Sequence, residues 1–303
     1  MDRLDAMTVF RTVVDTGSLS AAGRKLGMPL ATVSRKLSEL EAHLKARLLQ
    51  RSTRKLQLTD AGEAYLAACK RILDEVQDAE RSAAGEFTAP KGELVVTAPF
   101  SFGRLHVMPV TTEFLRAYPE VVVRLVFGDR VLDLLDEHVD LALRIGELPD
   151  SALVAAPVGR THRVVCASPD YLAAHGEPAT PQDLARHACI TFDAMSSAGA
   201  WRFRCGGVEE SVPVHSRLMV NAADAAVDAA IAGIGLTRVF CYQMQAARRA
   251  GQLRIVLGDC EPAPAPVSLV FARQGRMPLK VRAFLDFAAP RLRARLADTG
   301  PAM

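Results

Sequence analysis

Nine arginine and lysine residues fall between Ser18 and Leu58: Arg24, Lys25, Arg35, Lys36, Lys45, Arg47, Arg51, Arg54 and Lys55. Only Glu39 and Glu41 oppose them, nine against two, so these 41 residues hold seven excess positive charges. The 303-residue chain carries a net charge of only +3, so the remainder is net acidic and the basic patch is local. Guanidinium and ammonium groups gathered in this way suit phosphate oxygens and base edges. A solvated face is the ordinary explanation of a charge run, but this one coincides with a helical pattern able to present it.

A second set of chemistry-bearing residues lies where short apolar runs end. Thr97-Ala-Pro99-Phe100-Ser101 follows one such run, Val220-Asn221-Ala222 precedes an alanine-rich stretch, and Arg144 and Gly146 close a third. Unpaired N–H groups at helix starts beyond strand ends suit a carboxylate or another anion. Ser101 and Asn221 are equally explained as plain helix caps, and Arg144 as a partner of Asp140. Trp201 reads as core, and Gly233-Ile-Gly235 lacks the third glycine of a nucleotide loop.

Other chemistries find little footing. Cysteines 69, 166, 189, 205, 241 and 260 form no C-x-x-C pair and have no histidine at zinc-ligand spacing. They are expected to be buried or inert thiols in a reducing compartment, a redox-sensing pair being the minority alternative. No G-x-S-x-G elbow, metal cluster or phosphate loop supports an enzyme, so no catalytic residue, metal or cofactor is expected. No run reaches the roughly 18 apolar residues of a membrane span, and Met1-Asp-Arg-Leu-Asp5 lacks a signal-peptide layout; a cytoplasmic protein is expected.

The elements that must carry the basic residues follow from apolar spacing. Leu4, Met7, Phe10, Val13 and Val14 share one side of a helix from about Leu4 to Thr16, ended by Gly17. Ser18 is a natural cap for a helix Leu19 to Leu26, closed by Gly27. Pro29 suits the first position of a third helix reaching about Leu44, with Val33, Leu37, Leu40 and Leu44 inward and Thr32, Arg35, Lys36 and Glu39 outward. Two short helices joined at a glycine, the second with a polar-basic face, suit a recognition helix in a major groove. The alternation from Arg51 to Thr59 fits a hairpin that carries Arg51, Arg54 and Lys55 as a wing. Asp60, with Glu63 three residues on, can cap a long helix. Its Tyr65, Cys69, Ile72, Val76, Ala79 and Ala83 form a heptad seam, widened by Leu66 and Leu73, ahead of a linker-like stretch to Gly92. That stripe is expected to meet a partner chain rather than its own domain.

From Glu93 the pattern becomes α/β. Strands are expected at Leu94-Val-Val-Thr, Val121 to Phe127, Leu141-Ala-Leu-Arg, Arg163 to Ala167, Gly235-Leu-Thr-Arg and Val267 to Phe271, with helices near Gly103 to Tyr118, Val131 to His138, Ala222 to Ala232 and Leu279 to Leu296. Largely parallel sheets follow from that alternation.

Three runs, Gly17-Ser-Leu-Ser-Ala-Ala-Gly-Arg-Lys-Leu-Gly, Ala31-Thr-Val-Ser-Arg-Lys-Leu-Ser-Glu-Leu-Glu and Leu48 to Gly62, resemble LysR-type transcriptional regulators. The chain departs from that pattern at Pro29, Leu30 and Ala31, where small polar or glutamine residues are usual, and at Lys45, where glycine is. Leu30 shifts base reading toward Thr32, Arg35 and Lys36, while remaining able to touch a thymine methyl. Further along, Phe114-Leu-Arg-Ala-Tyr-Pro-Glu, Val139 to Gly146, Ala167-Ser-Pro-Asp-Tyr-Leu, Ala232-Gly-Ile-Gly, Gly251-Gln-Leu and Val281 to Phe287 resemble the effector-binding domain of the same family.

The resemblance implies an all-α winged helix-turn-helix plus long linker helix, then an α/β two-lobed domain like periplasmic solute-binding proteins. Expected boundaries are 1–59 for DNA binding, 60–91 for the linker helix and hinge, and 92–303 for the effector domain. Its first lobe spans about 92–163 with 267–297, and its second about 164–266. DNA contacts are assigned to Ser18, to Thr32 and Ser34 on phosphate or a base edge, to Arg35 and Lys36 on guanine or phosphate, and to Arg51 and Arg54 on the flanking backbone. Effector contacts are assigned to Pro99, Phe100, Ser101, Arg144, Gly146 and Asn221. Expected partners are double-stranded promoter DNA, a small-molecule effector of anionic character, a second copy in a homodimer or homotetramer, and RNA polymerase, with no membrane. The competing reading is a DNA-binding regulator with no small-molecule effector, whose C-terminal domain serves oligomerisation only.

Overall fold

The computed structural model describes residues 2–51, 56–83, 89–129, 139–148, 153–192, 199–272 and 277–297. The chain divides into two compact units, Met1–Gly92 and Glu93–Met303.

In the first unit, helix α1 (Arg3–Thr16) begins one residue earlier than its apolar spacing indicates, because Asp2 caps it: Oδ1 accepts from the Leu4 and Asp5 amides at 3.0 and 3.4 Å. Helix α2 (Leu19–Leu26) has the expected cap, the Ala21 amide donating to Ser18 Oγ at 3.3 Å. In α3 (Leu30–Leu44) Pro29 stands at the N-cap rather than inside the first turn. Lys45 ends that helix at φ 52°, the left-handed position that glycine fills with least strain. Val33, Leu37 and Leu40 meet Val9, Phe10, Val13 and Ala22 in one core.

Strands β1 (Leu49–Arg51) and β2 (Leu56–Leu58) pair antiparallel, with Leu49 opposite Leu58, as the wing requires. Helix α4 (Asp60–Ala83) follows. The expectation that Asp60 caps it is corrected: Asp60 is already helical, and Thr59 Oγ1 accepts from the Gly62 amide at 2.9 Å. The same hydroxyl donates to the Arg47 carbonyl at 2.6 Å. Gly62 has no alternative here, since a Cβ would lie 2.0 Å from the Leu48 carbonyl oxygen.

The seam on α4 divides. Cys69 is fully buried in the unit's own core, with Tyr65 and Leu66 beside it and the Tyr65 ring 5.8 Å from Phe10. Its first turns therefore pack on their own domain, which corrects the expectation of a stripe left whole for another chain. Ile72 and Val76 are half-buried and Ala79 is exposed. The side chain of Ala83 lies outside the described residues.

In the second unit, β3 (Gly92–Ala98) leads into a helical run of α5 (Phe100–Phe102), a π segment (Gly103–Val107) and α6 (Met108–Ala117). Strands β4 (Val121–Phe127), β5 (Leu141–Ile145) and β6 (Leu153–Thr161) follow. Strand β7 (Arg163–Ala167) opens a second sheet, with α7 (Pro169–His175), β8 (Ala188–Phe192), a hairpin β9 (Ala200–Cys205) and β10 (Val208–Pro213), β11 (His215–Val220), α8 (Ala223–Ile231), β12 (Leu236–Phe240), α9 (Cys241–Arg249) and β13 (Arg254–Val256). Strand β14 (Ala265–Ala272) returns to the first sheet before α10 (Leu279–Ala297). The expected helix at Val131 to His138 lies outside the described residues.

The first sheet runs β4-β3-β5-β14-β6 and the second β11-β8-β12-β7-β13. Neither is largely parallel as expected. Strand β14 is antiparallel to both β5 and β6, and β7 to both β12 and β13, because these strands arrive by crossing over from the other lobe or by a local return. The chain passes between sheets at His162 and again at residues 261–264. One core holds Leu94, Phe102, Phe114, Leu141, Leu269 and Phe284, and another holds Val164, Ile190, Ala226 and Val239. Two cysteines expected to be thiols are not: Cys205 and Cys260 are disulfide-bonded.

Candidate nucleic-acid interface and interlobe cleft

On α3, Leu30 is 53% exposed at the helix start, and Thr32 and Ser34 are half-buried within the first turn and a half. Arg35 stands in solvent, 3.7 Å from Glu39 one turn on. Such an exposed pair is weak, about 0.3–0.5 kcal/mol, so the guanidinium is free to exchange its partner for phosphate or guanine. Lys36 departs from expectation. Its ammonium pairs with Asp5 on α1, so it braces the helix against its own unit instead of facing outward. The Ser18 hydroxyl is engaged at the α2 cap and lies 2.8 Å from Ser20 Oγ. Arg51 ends β1, while its side chain and all of Arg54 lie outside the described residues.

In the second unit, both helix-cap explanations fail. The cap of α5 is Pro99 and that of α8 is Ala222, neither with a side-chain bond, while Asn221 is exposed. Ser101 is buried, and its hydroxyl donates to Asp224 Oδ1 at 2.9 Å across 123 residues of sequence. Arg104 reaches the other oxygen of Asp224 at 3.2 Å. The amide of Phe100 donates to Asp129 Oδ1 at 3.2 Å, and its ring, 48% exposed, meets Phe127 edge-on. Thus two of the donors expected to receive an anionic ligand, the Phe100 amide and the Ser101 hydroxyl, are held by Asp129 and Asp224.

Burial, offset by the Phe100 amide and reinforced by Asp224, raises the Asp129 carboxyl above its ordinary value. Tyr242 is buried nearby, and burial together with these two carboxylates keeps its phenol protonated. Arg144 is half-buried, and desolvation lowers its pKa. Asp140, its expected partner, accepts the Val95 amide at 2.8 Å. Gly146 leaves β5 at φ 113°, its N–H donating to the Pro266 carbonyl at 2.9 Å. His106 sits in the π segment between Phe102 and Tyr242, and neither ring nitrogen has a hydrogen-bond partner among the described residues. Burial, with Arg295 adding to it, lowers its pKa to about 4.

Sequence reasoning missed Asp224, Arg104, Asp129 and Tyr242. Asp224 had one usable signal, an acidic residue in the first turn of an alanine-rich helix. Among the described residues no cluster of metal-ligating side chains occurs, and no helix is long and apolar enough to cross a membrane.

Two family models match the chain. Residues 4–63 match the bacterial regulatory helix-turn-helix protein, lysR family, and residues 88–293 match the LysR substrate binding domain. The chain is 34% identical to the probable HTH-type transcriptional regulator LtrA of Klebsiella pneumoniae, over 100% of this chain and 96% of that protein. It is 32% identical to the HTH-type transcriptional activator AaeR of Escherichia coli, over 94% and 93%. Among solved structures it is similar to CrgA, a LysR-type regulator from Neisseria meningitidis, with TM-score 0.61, 30% identity and coverage of 95% and 98%. The full-length Vibrio cholerae virulence activator AphB gives TM-score 0.61 at 28% identity, covering 94% and 98%.

Proposed function

Because the chain belongs to the LysR-type transcriptional regulators, DNA-binding proteins with an effector-binding domain, we propose that it binds promoter DNA as a dimer or tetramer under the control of a small molecule held between its C-terminal lobes. The observation that carries the DNA half is the start of α3, where exposed Leu30 and Arg35 stand beside half-buried Thr32 and Ser34. In this reading Arg35 takes a guanine edge or phosphate, Thr32 and Ser34 take phosphate or a base edge, and Leu30 takes a thymine methyl. Arg51 and Arg54 hold flanking phosphates, Ser18 orders the start of α2 beside the backbone, and Lys36 fixes the angle of α3 through Asp5. Ile72, Val76 and Ala79 on α4 supply the seam to a second copy, so that two readers meet two half-sites. The protein acts in the cytoplasm at promoters served by RNA polymerase.

The effector half draws on the Ser101–Asp224–Arg104 contact between α5 and α8. A ligand carboxylate competing with Asp224 for Ser101 would part the two helices and bias lobe closure, with Pro99, Phe100, Arg144, Gly146 and Asn221 as the surrounding contacts. The same contact favours this reading over an oligomerisation-only domain, since a scaffold has no need of a replaceable carboxylate there.

One experiment addresses both halves. A duplex selected from a random pool is titrated with the full-length protein at several salt concentrations. Arg35→Ala should weaken binding by roughly tenfold or more and reduce the salt slope by about one. Unchanged affinity and slope remove Arg35 from the interface. Thermal shifts across a metabolite panel then test the cleft; no shift with any compound favours the oligomerisation-only alternative.

A further inference from the structure

The cysteines fall into three environments, one of them held by Cys241 alone, a half-buried thiol 3.6 Å from Thr161 Oγ1. Cys69, Cys166 and Cys189 are buried, and burial pushes their thiols up to about 11, about 12 and about 12, so little thiolate forms. Cys205 and Cys260 instead face each other with Cα atoms 4.3 Å apart and a bond between them, although 55 residues separate them. Both are half-buried at the edge of the core that holds Trp201 and Phe203, and their neighbours Gly206, Gly207, Gly258 and Asp259 are exposed, so the pair lies next to solvent.

What this bond joins gives it consequence. Cys205 ends β9, and the β9–β10 hairpin forms a two-stranded sheet of its own, outside the five-stranded ladder of its lobe. Its attachment rests on side chains, since an isolated hairpin is marginal in water. Trp201, Phe203 and Val212 enter the core beneath it, and Gln182 donates to Glu210 at 2.6 Å. Cys260 ends the 3-10 turn Gly258–Cys260 and is followed by Glu261, where the chain sets out on its second passage between lobes. Glu261 accepts from Arg238 at 2.6 Å, with both side chains almost fully buried. The Arg238 guanidinium lies 4.9 Å above the Phe203 ring, two residues before Cys205. The disulfide therefore closes a circuit from hairpin to turn, to ion pair, and back to the hairpin. The turn it clamps holds Leu257 at φ 56°, a conformation that a β-carbon makes unfavourable and that persists only while surrounding contacts impose it.

We propose that Cys205 and Cys260 interconvert between dithiol and disulfide by exchange with low-molecular-weight thiols, and that their state sets how firmly the hairpin and the 261–264 passage are held. In the oxidising direction one cysteine thiolate attacks a small disulfide RSSR, giving a protein–S–S–R mixed disulfide and RS⁻. The second thiolate attacks the protein sulfur of that intermediate and expels the second RS⁻. In balance, two cysteine thiols and RSSR become one protein disulfide and two RSH; two electrons leave the cysteines, and their protons end on the released thiols. Two small thiols reverse it. The site thus couples the redox poise of its surroundings to a segment through which the lobes are connected, independently of any effector.

The test uses the full-length chain equilibrated in glutathione buffers from strongly reducing to strongly oxidising, quenched by alkylation and mapped by peptide mass. Cys205 and Cys260 should lose their label together, with a midpoint inside the range. Amide hydrogen exchange over 200–213 and 254–261 should then be about tenfold or more faster in the reduced protein, local opening being the quantity read. Cys260→Ser should show the fast exchange in every buffer. If that variant does not fold, reduced wild-type protein supplies the same comparison. A pair that stays reduced in the most oxidising buffer, a pair that stays bonded in the most reducing one, or equal exchange in the two states would each overturn the proposal.

Discussion

Arg35 and Glu39 in the N-terminal unit pair at 3.7 Å with both side chains well in solvent, whereas Arg238 and Glu261 in the C-terminal unit pair at 2.6 Å with almost no exposure. The first pair can be broken at a few tenths of a kcal/mol, as the proposed exchange of Glu39 for DNA would need. The second cannot lose one member without stranding a charge in low dielectric. The same contrast extends outward. The first unit leaves Arg35 exposed on a helix face, and the second places Ser101 and His106 inside, with partners fixed or lacking. A surface built for exchange and a core built for discrete alternatives demand opposite treatment of polar groups.

The largest effect expected is at the buried pair. Glu261→Ala should destabilise the C-terminal unit by about 3–5 kcal/mol in urea unfolding, while Arg35→Ala should change stability by less than about 0.5 kcal/mol. Similar values at the two sites would break the comparison. Next comes His106. Its pKa is near 4 in the fold against an ordinary value of 6.5, so the unfolded chain takes up the proton first as pH falls. Stability is therefore full above about pH 6.5 and declines toward pH 4, by about 3 kcal/mol for a shift of this size. Comparing wild type with His106→Leu between those pH values isolates it; identical profiles would show that the imidazole is not held neutral by burial. The smallest effect belongs to the DNA-binding unit. Lys45→Gly should stabilise it by up to about 1 kcal/mol, relief of the left-handed strain being partly cancelled by the extra freedom of glycine in the unfolded chain. A loss of stability would mean that the Lys45 side chain contributes more than its backbone loses.

These contrasts also explain what was legible beforehand. Helix α2 was readable residue for residue, because Ser18, Gly27 and the apolar steps between them are local signals. Helix α1 starts one residue before its apolar spacing indicates because Asp2 caps it, and Thr59, not the acidic Asp60, caps α4. In the second unit, β3, β4, β5, β7, β12 and β14 announced themselves by apolar runs, but β8, central in its sheet, was missed. Strand β6 did not announce itself, with Pro157, Gly159 and Arg160 inside it, nor did the hairpin, whose outward positions carry Arg202, Arg204 and Glu209. The cleft was half legible. Ser101 could be placed at a strand end, but its partner Asp224 lies 123 residues away, and no local pattern marks such a pair. Wide cysteine spacing argued against a disulfide, yet the core shared by Trp201, Phe203 and Val256 brings the turn after β13 to the end of β9 and makes 55 residues of separation irrelevant.

The junction of β2 and α4 has a mechanical consequence. Thr59 ties the helix start to the Arg47 carbonyl, and Gly62 lets the first turn lie directly on the Leu48 backbone with no side chain as cushion. Such a joint behaves as a keyed shaft. Torsion applied along α4 is therefore passed first to Arg47 and Leu48, the segment that joins α3 to β1, instead of dissipating in a loop.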